Sequence, residues 1–143
     1  MPRPEQVLGV VIHCSAGYGD VESIKIFWKS LGWKSPGYHR VVDEDGKINH
    51  LRNYEGYTNG VLGYNSSYIH ISYIGGVEKD NYKIAKDSRT QEQKLSLQHL
   101  ISDVMLWLRA NGQGFAILKH ENYESEMTLI SKIPDSWYNN LEI

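Results

Sequence analysis

The chain has 143 residues, 41% hydrophobic and 22% charged, a composition that fits one domain over residues 1–143 with a core of its own. A net charge of −2 and the lack of a Lys/Arg run argue against nucleic-acid binding by electrostatics. The single cysteine, Cys14, leaves no internal disulfide and no CxxC zinc knuckle, and no run of about 18 apolar residues is present to span a membrane.

Val7 to His13 is a continuous apolar, β-branched run that predicts a buried central strand ending at a polar site. Gly17 to Gly19 make a loop, and Asp20 is a suitable N-cap for a helix to about Leu31. Val21, Ile24, Phe27, Trp28 and Leu31 recur at helical spacing and predict one apolar face, with Gly32 as the stop. Tyr38 to Val42 reads as a strand, Asp45-Gly46 as a hairpin turn, and Lys47 to His50 as the returning strand. Residues 53–65 are rich in Gly, Asn and Tyr and read as a long loop. Tyr68 to Ile74 is the next strand, closed by Gly75-Gly76. Thr90-Gln91-Glu92-Gln93 is a capping box that opens a long helix. Leu97, Leu100, Ile101, Val104, Met105 and Leu108 line one of its faces, and Gly112 ends it. A strand over Phe115 to Leu118 follows, then a mostly irregular tail with a turn at Ile133-Pro134-Asp135. Strands alternating with helices predict an α/β domain: a mixed central β-sheet flanked by helices.

Several segments in this order resemble one family. They are Ile12-His13-Cys14-Ser15-Ala16, Gly32-Trp33, Gly37-Tyr38-His39, Gly63-Tyr64-Asn65, Tyr73-Ile74-Gly75-Gly76, Asp87 to Gln93, and Ile117-Leu118-Lys119-His120. Together they resemble the zinc-dependent N-acetylmuramoyl-L-alanine amidases, which include phage lysins of the lysozyme-amidase type and the peptidoglycan recognition proteins. The resemblance runs from about Val7 to Trp137. It implies a zinc ion held by three protein ligands with a fourth position for water, and cleavage of the amide joining N-acetylmuramic acid to the L-alanine of the stem peptide.

Residue by residue, the resemblance places His13 at the first zinc ligand and His120 at the second. The family's Gly-His-Arg-Asp reads here Lys119-His120-Glu121-Asn122. At the third ligand the family carries a Cys or Asp before proline, and the matching step here is Ile133-Pro134. Ser131 stands where an assisting lysine belongs, with Lys132 one residue off. Asp135 is the nearest carboxylate able to substitute as a ligand. Tyr38 matches the catalytic tyrosine, whereas His39 is assigned a structural role by strand alternation. Thr58-Asn59-Gly60 stands where the family has Gly-Ala-His. Ser72 occupies an acidic or cysteine position, and His70 replaces a glycine two residues earlier. His70 either enters the pocket from a new direction, packs, or faces solvent. Asn65, Ser72, His70 and Lys119 are the candidate substrate-binding residues. Cys14 alternates to the opposite face from His13 and is not expected to act as a nucleophile.

The substitutions cluster on the chemistry while the scaffold motifs remain. This predicts a muropeptide-binding cleft with an incomplete zinc site and impaired or lost hydrolysis. One alternative is an active phage endolysin that uses Asp135 or a nearby acid as third ligand. Another is an interaction module that meets a protein partner through the aromatic loop from Tyr54 to Tyr64. MPRPEQ leads into too short an apolar stretch for a signal peptide. The chain is therefore expected in the cytoplasm of its producer, reaching the cell wall on release or export.

Overall fold

A computed structural model describes residues 7, 9–60, 65, 67–110 and 117–119. Within them five strands form one sheet: β1 (Gly9–Cys14), β2 (Arg40–Val42), β3 (Ile48–His50), β4 (Tyr68–Tyr73) and β5 (Ile117–Lys119). Two helices accompany it, α1 (Val21–Ser30) and α2 (Gln91–Ala110). The strand order is β3-β2-β4-β1-β5. β1 runs parallel to both β4 and β5, β2 runs parallel to β4, and the β2–β3 hairpin is antiparallel. The sheet is therefore mixed, as the alternation of strands and helices predicts.

The β1–β4 register sets Val11 opposite His70 and His13 opposite Ser72. Because side chains alternate along a strand, His13, His70 and Ser72 share one face of the sheet. Val10, Ile12, Cys14, Ile69, Ile71 and Tyr73 take the other. They pack with Leu97, Leu100, Ile101, Val104 and Leu108 of α2 into the main core. Met105, expected on the same stripe, is half-buried at its margin.

Helix α2 is started by its capping box. The Thr90 hydroxyl accepts from the Gln93 amide at 3.1 Å, and Gln93 Oε1 accepts from the Thr90 amide at 2.9 Å. Gln93 is fully buried, and its Nε2 also donates to the Ile74 carbonyl at 2.9 Å. One side chain thus ties the start of α2 to the end of β4. Asp20 caps α1 by accepting from the Ser23 amide at 2.9 Å. The apolar face expected on α1 is only partly buried: Trp28 is 7% exposed, but Phe27 is 60% and Leu31 49% exposed. The helix meets the fold along one ridge and leaves its remaining apolar residues at the surface.

One residue of the expected aromatic contact surface is corrected. Tyr54 is buried, and its hydroxyl donates to Asp103 of α2 at 2.8 Å. Arg40 lies over its ring at 4.2 Å. Tyr54 is a strut between β2 and α2. Tyr57 of the same loop is exposed, and Tyr64 lies outside the described residues.

Candidate functional site

The site forms where β1 ends. His13 is the penultimate residue of β1 and 2% exposed. Just beyond it the chain turns at Ala16, whose φ of +56° is a left-handed conformation that non-glycine residues rarely adopt. Such backbone gathers at functional sites more often than elsewhere.

Tyr38 lies against His13 with ring centroids 4.9 Å apart, and Trp28 of α1 meets Tyr38 edge-on at 5.4 Å. Gly37 makes this stack possible. A Cβ there would lie 2.8 Å from the indole, inside van der Waals contact, so any larger residue would push Trp28 away. The Tyr38 hydroxyl hydrogen-bonds to Ser72. Withdrawal from solvent, helped by the nearby Cys14 thiol, pushes its pKa up to about 12, against which the Ser72 bond pulls only weakly. Tyr38 is therefore a neutral hydrogen-bond donor throughout the physiological range. Cys14 points into the core, and burial raises its thiol pKa, so it is not a nucleophile poised for attack.

Beside Tyr38 a hollow of about 280 Å³ is lined by Ser15, Ser23, Ile24, Phe27, Trp28 and Tyr38. The exposed apolar side of α1 is one wall of this hollow, which explains why Phe27 does not join the core. The sequence reading missed this wall, because helical periodicity marks an apolar face without saying whether core or cleft receives it.

His70 and Ser72, expected to contact a ligand, are both fully buried beneath His13 and Tyr38. His70 therefore does not face solvent: its Nδ1 lies 2.8 Å from His13 Nε2. His39 brackets the backbone of His70. The His39 amide donates to the His70 carbonyl at 2.8 Å, and the His70 amide donates to His39 Nδ1 at 3.0 Å. An amide can only donate, so His39 Nδ1 carries no proton and Nε2 does. That Nε2–H donates to the Gly56 carbonyl at 2.7 Å. With both nitrogens committed to the backbone, His39 is structural.

Asn65 is half-buried in the turn before β4. Lys119 pairs through β5 with Ile12, one residue before His13. His120 and Asp135, the other sequence-proposed zinc ligands, lie outside the described residues. Among the described residues no three His, Cys, Asp or Glu side chains cluster as a metal site would need. No described helix is long and apolar enough to cross a membrane.

Comparison with known proteins agrees with this architecture. A family profile described as N-acetylmuramoyl-L-alanine amidase matches residues 3–130. An endolysin of Klebsiella phage KP32 is 25% identical over 124 residues, covering 84% of this chain and 78% of the endolysin. The amidase LysC from Clostridium intestinale superimposes with a TM-score of 0.63 at 22% identity, over 75% of this chain and 68% of LysC. Bumblebee PGRP-SA superimposes with a TM-score of 0.72 at 19% identity, over 96% and 83% of the two chains.

Proposed function

The chain belongs to the N-acetylmuramoyl-L-alanine amidase family, and from that premise we propose that it is a peptidoglycan-directed domain whose cleft takes a muropeptide. In this reading an incomplete zinc site weakens hydrolysis of the amide between N-acetylmuramic acid and L-alanine. The observation that carries the proposal is the placement of Tyr38. It stands between His13 and a hollow whose other wall is the exposed apolar side of α1. Apolar walls with a few convergent polar groups suit a sugar-peptide ligand.

His13 fits a zinc ligand, because it is a buried strand-end imidazole with one ring nitrogen already engaged by a neighbour. With His120 as the second expected ligand and, only in the rival reading of an active enzyme, Asp135 or a nearby acid as the third, bound zinc would supply a nucleophilic water and polarise the amide carbonyl. The chain's own contribution is clearer. Tyr38, kept neutral by burial, donates a hydrogen bond to the oxygen on which negative charge develops. Ser72 holds the phenol in place from below. The reduced activity is supported by the sequence: Ile133 stands where the family has a thiolate or carboxylate, and Ser131 where it has a lysine. Losing a charged ligand weakens zinc binding.

Calorimetric titration with a purified muropeptide, paired with a turnover assay in excess zinc, tests this reading. Phe27→Ala should weaken binding about tenfold through loss of apolar contact, and Tyr38→Phe should abolish residual turnover while largely preserving binding. Absence of binding would refute the cleft. Turnover by the unaltered chain at ordinary enzymatic rates, on the order of 10 per second or more, would refute the impairment.

A further inference from the structure

His70 and Gly60 are a matched pair of exchanges. Where the family resembled by this chain carries histidine before its Gly-x-Asn motif, the chain has Gly60. Where the family carries glycine on the next strand, the chain has His70. The structure brings the two positions together. A Cβ built on Gly60 would lie 2.9 Å from His70 Cε1 and closer still to Cγ and Nδ1. Position 60 has no room for a side chain because the His70 ring fills that space. The backbone there is fixed by its neighbour. The Asn59 amide donates to the Pro36 carbonyl at 3.0 Å, and Asn59 Nδ2 donates to the Ser35 carbonyl at 3.1 Å.

We propose that His70 is a transposed pocket histidine that positions His13. It approaches from strand β4 instead of from the loop, and it holds the His13 ring by accepting from Nε2–H. His13 then presents Nδ1 as its ligating nitrogen. The consequence for zinc rests on the function proposed above, but the positioning itself does not.

Three features support this assignment. His70 Nδ1 is 2.8 Å from His13 Nε2, a hydrogen-bonding distance in a fully buried setting. The His70 backbone is clamped on both its amide and its carbonyl by His39, and the two rings lie within 8° of parallel. His70 is thus a rigid partner. A metal-binding histidine commonly donates its second N–H to a fixed acceptor, which sets both tautomer and ring orientation. The resemblance assigns no such acceptor to a strand position that usually has no side chain.

The test reads the tautomer of His13 by NMR of protein labelled with ¹⁵N-histidine, at neutral pH and without metal. The unaltered protein should carry its His13 proton on Nε2. His70→Gly, and His70→Asn as a less disruptive variant, should shift His13 toward a mixture of tautomers. Gly60→His alone should destabilise the fold by collision with His70. The double variant Gly60→His/His70→Gly should restore both stability and the single His13 tautomer. In excess zinc, the metal-bound shift should fall on His13 Nδ1 and on neither His70 nitrogen.

Three results would overturn the proposal. His13 could keep one tautomer in both His70 variants. The double variant could show the summed defects of the two single changes. The metal-bound shift could fall on His70, which would make it a ligand instead of a support. Failure to bind zinc at all would leave the positioning role to be decided by the tautomer, which is read without metal, and would agree with the incomplete zinc site proposed above.

Discussion

At the residue scale, the acid Asp87 shows how a loop side chain is held by its partner. Burial acts to raise its pKa. Two hydrogen bonds from Arg89, both 2.7 Å, and the guanidinium charge outweigh that effect and hold the carboxyl below its usual range. A depressed folded pKa contributes stability that is fully present above the unfolded value, near 3.8, and is lost as pH falls through the folded value. Asp87→Asn should therefore cost about 2 kcal/mol near neutrality, as expected for hydrogen bonds to a charged and buried guanidinium. In denaturant titrations at a series of pH values, the gap between the variant and the parent should be full above the usual carboxylate range and should close as pH falls below it. A gap independent of pH would contradict the assignment. The same scale marks the limit of reading from sequence. His13 and Tyr38 could be picked out because their neighbours match a family pattern. The role of His70 could not, since alternation gives its face but not its depth, and the pattern has no side chain at that position.

Elements were legible to the extent that they are closed by local chemistry. The Thr90–Gln93 capping box is visible as four letters, and the structure forms both of its reciprocal bonds. What those letters do not reveal is that Gln93 also reaches the Ile74 carbonyl, because that contact spans 19 residues. Gln93→Ala should therefore cost more than a surface cap, about 2–3 kcal/mol, from the lost cap plus a buried carbonyl left without its donor. Urea denaturation followed by circular dichroism would show it. A loss under about 0.5 kcal/mol, the range of an ordinary surface change, would contradict the linking role. Strand limits were less legible. β2 begins at Arg40, not Tyr38, because pairing with β4 starts at the Arg40–Ile71 step. Tyr38 is thereby released from strict alternation and can turn onto His13. The apolar spacing of α1 predicts a single face, but Phe27 and Leu31 on that face serve an open surface instead of the core.

At the scale of the whole molecule, the alternation of strands and helices foretold a mixed α/β sheet. The order β3-β2-β4-β1-β5 was not foretold, because an apolar run does not name its neighbours. That order places β1 between β4 and β5. His13 therefore has His70 and Ser72 on one flank, and on the other the strand whose last described residue, Lys119, precedes His120. His13, His70, Ser72 and Tyr38 are thus brought together, while Ile133-Pro134 stands where the proposed reading expects the third ligand. The most direct test of this account is the zinc content of the purified chain after dialysis against trace zinc, measured beside Ile133→Cys and the double variant Ile133→Cys/His13→Ala. The account predicts well under one equivalent in the unaltered chain, about one equivalent once the thiolate ligand is supplied, and loss of that metal when His13 is also removed. A full equivalent retained by the unaltered chain, or metal in Ile133→Cys that persists when His13 is removed, would contradict it.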